Sequence, residues 1–381
     1  ARRAGRARAL AAVWPRGPRI GDAGFQALER HQYRAGPYTP LDKALYTVWW
    51  NPVTRCLPRW LAPNLITLVG AAAAVASGVL LWACDPSLEQ GVPPWAELAA
   101  CILVLVYQTC DAVDGLQARR TGCGSPLGEL FDHGCDCVCL TSFTIGYCAT
   151  QRCGFGTLTF ASLCISWLPW WLAQWESVHT GVVRTGGTLI GVTEVELAVA
   201  LIHLATYLVG ADLWRMPVVG DLDLRQVIVF VQAVWAGTLA AMSVWRCLRA
   251  TSEPVAALRR GWPVAILVSV TAAWPVLFPE LHSRLACLAL SALFTRIAAE
   301  IVLCHMTLEE YPKAQPALAL LPVVFALELA GWLGGGAGFA VFGGFVVYCI
   351  LDAVAYLVDV VEEVATHLGV SVLSIEPDKD K

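Results

Sequence analysis

Four aspartates gather in one stretch, DAVDGLQARRTGCGSPLGELFDHGCD, which runs from Asp111 to Asp136. Asp111 and Asp114 are spaced i,i+3, and Asp132 and Asp136 i,i+4, so on helices each pair shares a face about one turn apart. Both pairs adjoin long apolar runs, where a carboxylate is costly and marks a functional site. Four converging carboxylates need compensating positive charge, and hard divalent cations such as Mg²⁺ prefer oxygen ligands. Between the pairs stand Gly115, Ala118 and Arg119, then a turn-rich segment from Thr121 to Pro126. Small residues let a ligand approach the backbone, and Arg119 carries a donor fork suited to phosphate. The spacing therefore suggests a metal site that holds a phosphate-containing ligand.

The elements around this stretch must then lie in a membrane. Of 381 residues, 57% are hydrophobic and 15% charged, well below the charged share of about 25% usual in soluble proteins. Ten apolar stretches, near 64–84, 95–119, 127–150, 153–178, 194–210, 224–247, 262–279, 283–305, 315–334 and 337–362, read as transmembrane helices. The expected fold class is all-α: a polytopic membrane protein of about ten spans with an N-terminal interfacial amphipathic helix. That helix is expected between Leu41 and Leu61, where Trp49, Trp50 and Trp60 mix with Lys43, Arg55 and Arg59. Residues 1–40 read as a loose cytosolic arm, 41–366 as one membrane domain and 367–381 as a cytosolic tail. The Arg-rich start, with Arg2, Arg3, Arg6 and Arg8, is too polar for a signal-peptide core. It reads as a targeting remnant or as a basic tail. The net charge of −4 gives no reason to expect nucleic acid. The 15 cysteines include no CxxC pair of the metal-binding kind and read as small membrane-helix residues.

Basic residues orient the chain. The stretch Asp85 to Pro94 has none, whereas Arg119 and Arg120 follow the second span and Arg246, Arg249, Arg259 and Arg260 the sixth. Both termini and the aspartates are thus expected to face the cytosol. Arg215 and Arg225 fall on the other side, diluted by Asp212, Asp221 and Asp223.

The long gapped pattern Asp111, Asp114-Gly115, Ala118-Arg119, Gly128, Asp132 and Asp136 resembles the CDP-alcohol phosphotransferase signature at every fixed position. The wording ARRTGCGSPLGELFDHGCD is similar to the eukaryotic choline/ethanolamine phosphotransferase branch, as are APNLITLVG, HMTLEE and THLGV, so the resemblance covers about residues 41–375. One departure is visible. Relatives of the branch commonly carry a His before the Trp that ends the fourth span, and here Gln174 precedes Trp175.

The resemblance implies transfer of phosphocholine or phosphoethanolamine from CDP-choline or CDP-ethanolamine to diacylglycerol, with release of CMP. It also implies an endoplasmic reticulum or Golgi membrane enzyme, expected to be a homodimer among membrane lipids. Two Mg²⁺ ions, replaceable by Mn²⁺, would be held by Asp111, Asp114, Asp132 and Asp136. Arg119 would contact phosphate, and Gly115, Ala118 and Gly128 would leave room for the nucleotide. Asn64 would reach the nucleotide, or else cap the first span. His133 is the leading candidate for the base that takes the lipid hydroxyl proton, with Glu129 one turn before it. Asp136 is the rival, but a carboxylate committed to a cation is a poor proton acceptor. A quaternary ammonium favours an aromatic cage, for which Trp167, Trp170, Trp171 or Tyr107 are candidates, with interfacial anchoring as the alternative role of the tryptophans. Arg296 and Glu300 are spaced to pair, and Asp352, Asp359, Glu362 and Glu363 read as interhelical polar contacts or a dimer contact. Two other readings remain open: a different headgroup or acceptor, and a divalent-cation transporter using the same carboxylates.

Overall fold

A computed structural model describes residues 19–278, 282–313 and 315–375. The chain is nearly all helix, and the ten apolar stretches each coincide with a helix. Six are long and apolar enough to cross a membrane: Pro63–Cys84, Pro94–Thr121, Val192–Val209, Leu224–Ala250, Ser283–Thr307 and Gly336–Leu368. Pro126–Thr150 and Thr157–Thr180 are of similar length but more polar, while Trp262–Leu277 and Pro316–Leu329 are shorter and apolar. In chain order, Asp22–Arg30, Pro40–Leu45 and Asn51–Cys56 are α1 to α3. Pro63–Cys84 is α4, Pro94–Thr121 α5, Pro126–Thr150 α6, Thr157–Thr180 α7, Val192–Val209 α8 and Leu224–Ala250 α9. The short Pro254–Arg259 is α10, Trp262–Leu277 α11, Ser283–Thr307 α12, Pro316–Leu329 α13 and Gly336–Leu368 α14.

The two aspartate pairs sit on α5 and α6, at the ends that face one sharp turn. Gly122, at φ 72°, takes the left-handed conformation that stops α5. Ser125 then caps α6 by accepting from the Gly128 N–H, and Pro126 occupies the first helical position, where a missing N–H costs nothing. The turn therefore folds the chain back and brings Asp111 and Asp114 beside Asp132 and Asp136. Along their lengths α5 and α6 touch little; α4 packs against both. It can do so because its contact surface is small: Gly70, Ala71, Ala74, Ser77 and Gly78 are buried. A Cβ on Gly70 would stand 2.7 Å from Cys110 of α5, and one on Gly78 would stand 2.5 Å from the Ser142 carbonyl of α6. Such close approach through small residues is how helices pack where no water drives them together.

Helix α12 forms the centre. Nearly every residue from Leu293 to Thr307 is buried, and α6, α7, α11 and α14 pack around it. The fully buried Trp167 lies flat on Phe294, with ring centroids 4.9 Å apart. Arg296 pairs with Glu300 at 2.6 Å, approaches Asp352 at 3.5 Å and lies over the Tyr356 ring. These polar residues tie α12 to α14, as interhelical contacts should.

The segment expected to be an interfacial helix is helical from Pro40 to Cys56, with a π-helical turn at Tyr46–Trp50. Thr39 and Asp42 form a reciprocal cap at its start. Trp50 is buried against Ile66 and Val113, while Trp49 and Trp60 remain exposed.

The N-terminal arm needs correction. Residues 1–18 lie outside the described residues, but from Arg19 onward the chain is docked rather than loose. Glu363 of α14 accepts from the backbone N–H groups of Arg19 and Ile20, Glu309 accepts from that of Gly21, and Asp359 pairs with the Arg19 guanidinium. Helix α1 then buries Leu28 and stacks Phe25 on His367 at 4.1 Å. The absence of a long apolar period hid this: the arm is held mainly by carboxylates far along the chain, on α14 and in the loop after α12. At the other end of the chain, residues 369–375 fold back over the aspartate end of α5 and α6; residues 376–381 lie outside the described residues.

Candidate active site

A cavity of about 670 Å³ opens beside the turn between α5 and α6. Its floor carries Asp114 and Asp132, and its walls carry Asn64, Gly115, Ala118, Arg119, Gly128, Glu129 and His133. Asp111 and Asp136 lie behind that floor. Asp136 accepts from the Tyr107 hydroxyl at 2.8 Å, and Asp114 accepts from the Thr67 hydroxyl. Oxygen or nitrogen atoms of Asp132, His133 and Asp136 all lie within 4.8 Å of one another.

The residues fit a divalent cation. None of the four aspartates forms an ion pair with Lys or Arg among the described residues. Oδ1 of Asp132 is buried with no hydrogen-bond partner among the described residues. A buried anionic oxygen without a donor is strongly unfavourable unless a cation meets it, and an all-oxygen donor set suits Mg²⁺ or Mn²⁺.

Arg119 is exposed at the cavity mouth, with its guanidinium 3.6 Å from where a Cβ of Gly115 would stand. It forms no hydrogen bond or ion pair among the described residues, so its donor fork is available. Its neighbours are committed elsewhere. Arg120 donates to the carbonyls of Thr54 and Leu57, and Gln117 donates to those of Pro58 and Leu61, which fastens the N-terminal helical segment to α5. Arg184 pairs with the buried Glu176, which Arg246 also holds. A phosphorylated acceptor would therefore find few free basic groups here.

Three expectations change. Asn64 does not cap α4: the helix starts at Pro63 with Ala62 as its cap, which leaves the Asn64 side chain to line the cavity and donate to the Val372 carbonyl at 2.9 Å. Trp167 and Trp171 are neither a cage nor interfacial anchors, because both are fully buried in the helix core away from the cavity. Trp170 is packed partly buried against Phe294, and the Tyr107 hydroxyl is spent on Asp136.

The cavity also contains residues that the sequence reading did not single out. His31 and Tyr33 enter from the N-terminal segment, and Gly369 to Val372, Ser374 and Ile375 close it from the C-terminal side. Tyr33 stands edge-on to His133, with ring centroids 5.7 Å apart. Tyr33 is half-exposed at the cavity edge; partial desolvation, and after it the charges of Asp132, Glu129, Asp136 and Asp111, push its phenol above the usual range. The amphipathic run of α1 and the phrase THLGV were the available signals; neither reveals that two chain ends meet over one pocket.

Residues 60–211 match the family model described as CDP-alcohol phosphatidyltransferase, a region that contains all four aspartates. The chain is 30% identical over 379 residues to "Choline/ethanolaminephosphotransferase 2" of Arabidopsis thaliana, covering 92% of this chain and 97% of that protein. It is 28% identical over 380 residues to "Cholinephosphotransferase 1" of Danio rerio, covering 93% and 94%. Over 195 residues it is 36% identical to an uncharacterized family protein of Dictyostelium discoideum, covering 51% and 47%. Similarity that runs nearly end to end, together with the family-model match that contains all four aspartates, makes this integral membrane protein a member of the CDP-alcohol phosphatidyltransferase family.

Proposed function

We propose that this protein transfers phosphocholine or phosphoethanolamine from a CDP-alcohol to diacylglycerol, giving phosphatidylcholine or phosphatidylethanolamine and CMP. The observation that carries the reading is the cavity itself: four aspartates without basic partners, beside one free arginine fork. In the reaction the diacylglycerol hydroxyl loses its proton and its oxygen bonds to the phosphorus that bears the alcohol. The bond from that phosphorus to the bridging oxygen breaks, and CMP leaves with the electron pair. Catalysis of this kind rests on positioning and charge neutralisation.

Asp111, Asp114, Asp132 and Asp136 would hold two divalent cations, Mg²⁺ or Mn²⁺, which would supply positive charge for the diphosphate and the leaving CMP. Arg119 grips a phosphate oxygen pair. Gly115, Ala118 and Gly128 leave the cavity wall free for the nucleotide, and Asn64 contacts it after release from Val372. His133 takes the hydroxyl proton, with Glu129 beside it. The scarcity of free basic groups supports a neutral lipid acceptor over a phosphorylated soluble one.

The ten helices at the expected positions support ten spans, with Pro40–Cys56 lying in the headgroup layer. The protein resides in the endoplasmic reticulum or Golgi membrane as a homodimer, with the cavity facing the cytosol, where a soluble nucleotide arrives from water and diacylglycerol from the bilayer.

Arg119→Lys tests the nucleotide end of this reading. Lysine keeps the charge but loses the bidentate fork, so the KM for the CDP-alcohol should rise about tenfold while that for diacylglycerol stays within about twofold. The reverse pattern would move Arg119 to the lipid. Running both CDP-alcohols against one diacylglycerol in the same assay reads the headgroup preference.

A further inference from the structure

The N-terminal segment delivers a side chain whose partner in the site is Glu129 and not an aspartate. His31 follows directly on α1, as its C-cap, and its Nε2 lies 2.7 Å from Oε2 of Glu129. The two side chains are only 10% and 9% exposed. A carboxylate oxygen accepts, so the Nε2–H donates. From α12, the His305 ring stands edge-on to His31, with centroids 5.4 Å apart and planes at 89°. Glu129 pairs with no Lys or Arg among the described residues; the donor that meets it comes from 98 residues away in the chain.

This arrangement has a consequence for the proton-handling end of the cavity. A glutamate side chain has three rotatable torsions, and without a donor its carboxylate samples several rotamers. Glu129 must present one oxygen to the cavity beside His133, which stands one turn further along α6. Resting on the role proposed above for Glu129, we infer that His31 is a positioning residue: its hydrogen bond holds the Glu129 carboxylate toward the cavity, and the docked N-terminal segment completes the active site. His31 is itself confined. The Ile20 and Gly21 N–H groups are anchored on Glu363 and Glu309 before α1, and the Gly36 N–H donates to the Val183 carbonyl at 2.8 Å after it. His305 closes the side that faces α12. The segment thus acts as a strap with fixed ends and one functional side chain between them.

The test uses the full chain purified in detergent. His31→Phe keeps an aromatic ring against His305 but has no donor for Glu129. It should lower kcat by about 10-fold or more, a part of the roughly 10²–10⁴-fold that a positioned base contributes, with the KM for the CDP-alcohol within about twofold of the parent. His31→Gln returns an N–H donor at similar reach and should recover most of the loss. In a Glu129→Gln background, His31→Phe should cost nothing further, because the group it positions is already disabled. Where His31→Phe does not accumulate as folded protein, His31→Asn reads the same loss, since its shorter amide stops short of Glu129. An unchanged kcat in the donorless variant overturns the inference. An equal loss with and without Glu129 also overturns it, while leaving the role of Glu129 standing. A fully active Glu129→Gln removes that role, and the inference with it.

Discussion

Asp132→Ala should abolish turnover, by more than about 10³-fold, while the protein keeps its thermal midpoint in detergent or gains stability. Oδ1 of Asp132 is buried with no hydrogen-bond partner among the described residues. A buried carboxylate oxygen that costs stability on its own is retained for a ligand. Asp132→Asn is the sharper variant, because it preserves shape and removes only the charge. Asp111→Ala and Asp114→Ala should behave alike, although Asp114 also loses its contact with Thr67. The same site predicts that a chelator stops the reaction and that Mg²⁺ or Mn²⁺ restores it. Ca²⁺ is larger and more loosely coordinated and should restore less. Full turnover in chelator, or an active Asp132→Asn, would remove the metal from the account.

The second large effect belongs to His133. His133 is buried, its Nδ1 has no hydrogen-bond partner among the described residues, and the ring borders Asp132 and Asp136 within 4.8 Å. An imidazole nitrogen is the commonest proton acceptor in general base catalysis. His133→Ala should therefore lose about 10²–10⁴-fold in kcat, while metal-dependent binding of the CDP-alcohol survives. Asp136→Ala should lose both. The short distances to Asp132 and Asp136 make the binding measurement decisive. If His133→Ala loses nucleotide binding together with turnover, the imidazole is a metal ligand and the base is Asp136 or Glu129. Near-normal kcat would point to the same two residues.

Much of this site was legible in the sequence because it is local. Two aspartate pairs at helical spacing, a Gly-Ser-Pro turn between them and apolar runs on either side are enough to place the four carboxylates together. The glycines are legible in kind but not in use: Gly70 and Gly78 serve the fit of α4 against α5 and α6, a packing partner that no spacing rule names. Arg120 illustrates the opposite limit. Beside Arg119 it looks like a second phosphate ligand, yet its donors are consumed by carbonyls of the N-terminal helical segment. The tryptophans of α7 failed in the same way, since an aromatic run reads equally as cage, anchor or core, and only the position of α12 decides for core. Least legible were His31 and residues 369–375. They reach the cavity from the two ends of the described chain, held by contacts over 288 to 344 positions such as Gly21 to Glu309 and Arg19 to Glu363. Such pairings depend on the finished fold, which a linear pattern does not encode.

The central claim is that this cavity joins a CDP-alcohol to a lipid hydroxyl. Counting CMP against new phospholipid tests it most directly, using the purified chain in detergent with CDP-choline or CDP-ethanolamine, Mg²⁺, and diacylglycerol present or withheld. The account predicts one CMP for each phosphatidylcholine or phosphatidylethanolamine formed, and neither product without diacylglycerol. CMP release that ignores diacylglycerol would contradict it, as would no release in detergent from a protein that carries divalent cations across sealed vesicles.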